Sequence, residues 1–254
     1  MLRLQRSPTN TENPDLKKVL RTPGQNNAEY VAAHASPDPS SAFDLVLLGG
    51  MGPVDFRLRA AQADARDDLL PSAWSHAAFL LPGAAPRELL HIPLSSHVGL
   101  DYPPASNGVQ RGPLADYADP AAYPNVALLR VPVPFGKLEP VLARFQKQRT
   151  VLDALELTLA WWAYVWGVGR STNPLLADLG VPGAAFVEYC SSAAGFDLVP
   201  GFPSRSSCPE AIWVAARWWH EHPRMVPVGE AAAAATLPFI SGVYDAEHYL
   251  VPVP

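Results

Sequence analysis

Prolines and glycines cut this chain into apolar runs of strand or short-helix length. There are 28 prolines and 17 glycines among 254 residues. That share is high for a globular domain and still below the range that reads as disorder. The punctuation predicts many loops with proline-marked strand ends rather than a helical bundle. Hydrophobic residues make up 48% of the chain, enough for one sizeable core, and one domain is the default at this length.

The runs fall into an order. Asp44 to Leu48 is a short apolar stretch ended by Gly49-Gly50, which predicts a buried strand. Phe56 to Leu70 has helical spacing, with Leu58, Ala61, Ala65 and Leu69 on one face. Ser75 to Leu81 and Arg87 to Leu94 read as two strands of a hairpin across a Gly-Ala-Ala turn. Val126 to Val133 is the next apolar run, and together these suggest an antiparallel meander. From Leu138 the pattern is helical. Leu152 to Val168, with Trp161, Trp162 and Trp166, reads as a buried core helix. A short helix is expected over Ala184 to Ala194, and another from Ser207-Cys208-Pro209-Glu210 to about Trp219.

Residues 1–42 are polar and rich in Pro, Ser, Asn and Asp, which predicts a flexible arm with one short helix around Asp15 to Leu20. Residues 43–254 are then a single domain. Net charge is -5, and no basic face is offered to a nucleic acid, so no nucleic-acid partner is expected. Leu157 to Val168 is too short to span a bilayer. Met1 to Arg6 lacks the apolar core of a Sec signal. A cytoplasmic protein is expected, or one exported by a specialised secretion system.

Two cysteines, Cys190 and Cys208, cannot be a disulfide framework. Cys190 follows the breaker Val181-Pro182-Gly183. Near a helix N-terminus, the dipole and the free N–H groups favour the thiolate, the reactive form. The alternative is a small buried apolar side chain. A nucleophilic thiol needs a base, and the base needs a group to orient it. His76 opens the Ser75–Leu81 strand and His91 lies on the next one, so the two are cross-strand neighbours. His220-Glu221-His222 suggests no third metal ligand, and Gly49-Gly50-Met51-Gly52 lacks both phosphate-loop and dinucleotide spacing. No metal and no cofactor are expected.

Several motifs in this order resemble a known superfamily. They are Asp44-Leu45-Val46-Leu47-Leu48, Trp74-Ser75-His76-Ala77-Ala78, Leu89-Leu90-His91, Gly108-Val109 with Pro113-Leu114-Ala115-Asp116-Tyr117, and later Tyr189-Cys190-Ser191. Together they resemble the NlpC-type papain-like cysteine hydrolases. With the cysteine after the histidines, the order is that of the circularly permuted, YiiX-like branch. The resemblance covers roughly residues 43 to 200. Ala78 stands where the family's histidine strand carries glycine, and Tyr189 stands where an acid often precedes the cysteine. Ser96-His97-Val98-Gly99-Leu100 spells the histidine motif better locally, but His97 is followed at once by Asp101-Tyr102-Pro103-Pro104, a poor strand.

The resemblance implies an α+β, permuted papain-like fold, its antiparallel sheet packed against the cysteine-bearing helix. Cys190 would be the nucleophile, His76 its base and His91 the orienting group. The expected reaction is amide hydrolysis through a thioester acyl-enzyme, on a peptide of cell-wall type. The alternatives are an acyl-ester hydrolase or acyltransferase on a lipid or other acyl substrate, and a catalytically silent binding domain. The oligomeric state is not readable.

Overall fold

A computed structural model of the chain describes residues 12–66, 68–83, 86–94, 108–147, 154–167, 171–218 and 240–246. Within them the architecture is α+β, a seven-stranded and mostly antiparallel sheet covered by helices. The central strand β2 (Phe43–Gly49) is buried along its whole length. That follows from its near-continuous apolar sequence, which suits a strand covered on both faces. On one side it pairs with β3 (His76–Leu80), which pairs with β4 (Glu88–His91), which pairs with β5 (Gln110–Pro113). On its other side it pairs with β6 (Asn125–Val131), and β6 pairs with β7 (Ser241–Asp245). A short first strand, β1 (Leu16–Lys18), runs parallel to β7 and closes the order β1-β7-β6-β2-β3-β4-β5.

Alternation along the strands divides the core into two layers. Leu45, Leu47, Ala77, Phe79, Leu90 and Leu129 point to one layer. There they meet α2 (Pro53–Ala61), α3 (Phe135–Lys147), α4 (Ala154–Val165), α5 (Pro182–Ala193) and α6 (Pro209–Trp218). Val46, Leu48, Ala78, Leu80 and Leu89 point the other way. That face is closed by α1 (Asn27–His34) and a single 3₁₀ turn, Leu114–Tyr117. Tyr30 and Val31 of α1 are fully buried against it.

Two expectations are corrected here. Residues 12–42 are not a loose arm with a helix at Asp15 to Leu20. Leu16–Lys18 is a strand, and the helix comes later, at Asn27–His34, behind a capping box of Asn26 and Glu29. The meander's last strand is β5, not the Val126–Val133 run, which returns beside β2 as β6. His97, the rival histidine, and the His220-Glu221-His222 group lie outside the described residues.

Among the described residues no helix is long and apolar enough to cross a membrane.

Candidate functional site

His76 and His91 are brought together as expected for a hairpin. The register sets Phe79 opposite Leu90 and Leu80 opposite Leu89. Continued by two residues, it makes His91 a diagonal neighbour of His76 on the same face. Nε2 of His76 lies 2.7 Å from Nδ1 of His91. One ring donates and the other accepts, so the contact fixes both tautomers together. His91 is fully buried. Gly112 makes room for its ring, because a Cβ there would stand 3.0 Å from Nε2 of His91.

Tyr117, at the end of the 3₁₀ turn, completes the cluster. Its ring stacks on His76 with centroids 5.4 Å apart and planes 13° apart. Its hydroxyl lies 3.4 Å from Nδ1 of His91. Burial, and after it the charges of Tyr123, Asp55 and Asp116, push the Tyr117 hydroxyl well above its ordinary range. The phenol therefore stays protonated and serves as a hydrogen-bonding group.

Next to this pair a small cleft opens, lined by Val54, Asp55, Ser75, His76, Tyr117, Tyr123 and Val181 among others, with a free volume of about 20 Å³. Asp55 enters from the first turn of α2, which starts with Gly52 and Pro53. The Ser75 hydroxyl donates to Oδ1 of Asp55 at 2.6 Å and accepts from the Gly50 amide at 3.1 Å. A Cβ on Gly50 would sit 2.4 Å from the Asp55 carboxyl carbon, so a larger residue there would require the Asp55 side chain to move. Ser75 is thereby committed to Asp55 and the backbone rather than to a histidine.

The helix that reaches this cleft is α5, and it does so with its N-terminal residues. Val181, at the N-cap, lines the cleft and provides no side-chain cap. Gly183 packs directly on β3, where a Cβ would lie 2.9 Å from the carbonyl oxygen of Ala77. Further along the same helix, Phe186 meets Phe79 edge-on at 5.5 Å. So α5 runs along β3, away from His76.

Cys190 belongs to that later part of the helix, not to its start as expected from the Pro-Gly breaker. The helix begins at Pro182, so Cys190 is in its third turn, about 12 Å along the axis. It is fully buried in the layer that contains Ala77, Phe79 and Phe186. His76 and His91 project with Ala78 and Leu89 to the opposite layer. Burial pushes the Cys190 thiol up, which disfavours the thiolate. Cys208 is also buried and free, its thiol pushed up to about 12 by desolvation.

Tyr117, Asp55, Ser75 and Val181 were not singled out from sequence. Tyr117 and Ser75 both fall inside the motifs Pro113–Tyr117 and Trp74–Ala78. Asp55 carried a signal in Gly52-Pro53-Val54-Asp55, a helix start with an acid in its first turn. Val181 carried none.

No protein-family model matches the chain, and a search of curated proteins finds no match.

Proposed function

We propose that this chain is a catalytically silent binding domain built on the permuted papain-like plan. Its histidine pair would serve as the polar floor of a ligand cleft. The observation that carries this is the content of the α5 N-terminus. The described residues with which α5 reaches the His76 end of β3 are Val181 and Gly183, on either side of Pro182, and none of the three carries a nucleophile. A thiol there would have both a helix N-terminus and a histidine base. The chain's own thiol in this helix, Cys190, is two turns further on and faces the other layer of the core.

The His76–His91 contact at 2.7 Å favours a second reading, a cysteine hydrolase, since an oriented base is what a thiol enzyme needs. On that reading Cys190 would attack an amide carbonyl of a peptide, or an acyl ester. It would then require rearrangement of α5 against β3. The helix of Trp161, Trp162 and Trp166 adds little to an acyl pocket. Trp161 is core and donates to the Gly180 carbonyl at 2.7 Å, and Trp162 donates to the Leu94 carbonyl at 3.0 Å.

The test is turnover by the full chain on muropeptides and on lipid or short-chain acyl esters, beside Cys190→Ala. The silent reading expects no turnover that depends on Cys190. Turnover lost in Cys190→Ala with the fold intact would replace it with the hydrolase reading.

A further inference from the structure

We infer that the outer face of α4 is a contact surface for a second copy of this chain, the two α4 helices packing antiparallel about a two-fold axis. In sequence, Leu152 to Val168 reads as a buried core helix, and only one face of α4 meets that expectation. Leu157, Thr158, Trp161 and Val165 are buried. Leu159 and Trp166 are 50% and 53% exposed, and Trp162 and Ala163, between them, are partly exposed. These four stand at i, i+3, i+4 and i+7, so they form one strip along the helix.

The strip differs from ordinary helix surface. Glu156, near the N-terminal end, is the only charged residue in α4. On the same side of the sheet, α3 exposes Lys137, Glu139 and Arg144. A surface helix normally sets a polar face opposite its apolar stripe, and a helix that is apolar all round is covered on all sides. Phe56 of α2 and Leu176 of the 3₁₀ turn Pro174–Ala177, both on elements packed against α4, are exposed as well. Half of the eight exposed large apolar side chains among the described residues thus belong to α4 and these two neighbours. Such clustering marks an interaction site, where single scattered exposures would not.

Charge selects the occupant. At the C-terminal end of α4 the exposed Arg57 donates from Nη1 to the carbonyl oxygens of Tyr164 and Val165, each at 3.0 Å. A cation therefore stands beside the last turn, and Glu156 marks the first. A two-fold axis between Trp162 and Ala163 sets Leu159 of one copy opposite Trp166 of the other. The same operation carries Glu156 of one copy to the C-terminal end of the other, where Arg57 stands, and repeats that pair at the far end. A parallel pair would instead set Glu156 against Glu156 and Arg57 against Arg57. Glu156 also meets Arg205 of its own chain at 3.2 Å, an exposed pair whose carboxylate has lone pairs for a second cation. An anionic membrane, the other apolar cover, would meet a chain of net charge -5.

A strip of this length belongs with the small, reversible interfaces. Sedimentation velocity of the full-length protein across the micromolar range should show a reversible monomer–dimer equilibrium. Leu159→Glu and Trp166→Glu should each weaken it at least tenfold, since each buries a charge at the contact. In a Cys190→Ala, Cys208→Ala background, a short bismaleimide should join Ala163→Cys to itself, near the axis, at least fivefold faster than Glu156→Cys to itself, at the far ends. If the glutamate variants fail to fold, the wild-type concentration dependence and the cross-linking decide. A monomer throughout that range, a dimer indifferent to both glutamate variants, or equal cross-linking at both positions overturns the inference. Pelleting of a monomer with phosphatidylcholine–phosphatidylserine vesicles, lost in Trp166→Glu, would overturn it by giving the strip to a membrane.

Discussion

His91 is held between two neighbours, its Nδ1 2.7 Å from Nε2 of His76 and its Nε2 against the bare Cα of Gly112. The ring is fully buried, whereas His76 is only partly so. His91 is thus a structural member of the sheet face as much as a partner for His76. His91→Ala should destabilise the fold by roughly 1–3 kcal/mol, through a cavity and a lost buried hydrogen bond. His76→Ala should cost less. Urea midpoints of the two variants test the order, and a larger loss at His76 would contradict it.

Gly183 sets how closely α5 approaches β3. Gly183→Ala would bring a methyl to 2.9 Å from the Ala77 carbonyl oxygen, a backbone atom that cannot swing aside. Helix propensity favours alanine by up to about 1 kcal/mol, and the clash should outweigh it at about 1–3 kcal/mol. A thermal melt should therefore show a lower midpoint for Gly183→Ala. An unchanged or higher midpoint would mean that α5 sits further from the sheet.

Val181, at the α5 N-cap, lines the same cleft as His76. In a Cys190→Ala, Cys208→Ala background, Val181→Cys places a thiol there. Iodoacetamide should label it with an apparent pKa below the free-thiol value of about 8.5. Adding His76→Ala should move that profile upward. Labelling no faster than that of an unfolded thiol would show that the cleft lacks the electrostatics described.

Glu188 gives the fold a pH dependence. It is fully buried on α5, and its Oε1 accepts from the amides of Leu198 and Val199 at 3.1 and 3.2 Å. Burial first, and then the neighbouring Asp197 carboxyl, raise it to about 8. The folded protein therefore holds a proton that the unfolded chain, with an ordinary carboxyl, releases near pH 4 to 5. This group's contribution to stability is largest below the unfolded value. It falls as pH rises from there through about 8, and then levels off. Glu188→Gln keeps the acceptor without the charge, so the variant should be more stable than wild type at pH 8 and lose less between pH 5 and 8. Parallel stability curves for the two proteins would show that Glu188 stays solvated or paired.

How much of this was legible depends on how each element is held. β2, β3 and β6 carry their own apolar runs, and each is found close to the residues expected. β1 and β5 do not. Leu16–Lys18 buries only Leu16, and Gln110–Pro113 only Gly112, so backbone pairing rather than side-chain pattern defines them. Asn26-x-x-Glu29 was a readable helix start, obscured by the polar composition around it. The histidine pair was legible because hairpin register is a local property. The position of Cys190 was not, because Pro182 at the first helical position puts the helix start eight residues before it. In sequence, the proximity of Cys190 to a Pro-Gly breaker reads as proximity to the N-terminus. The parity that places it across the sheet from His76 appears only once α5 is docked on β3.

The accessibility of Cys190 to iodoacetamide between pH 7 and 8, with Cys208 replaced by alanine, decides whether this thiol is a nucleophile. The fully buried, protonated thiol should be labelled only as fast as the protein opens, orders of magnitude slower than in urea, with no change on adding His76→Ala. Labelling of native Cys190 faster than in urea, and slowed by His76→Ala, would rule out a silent domain and restore Cys190 as the nucleophile.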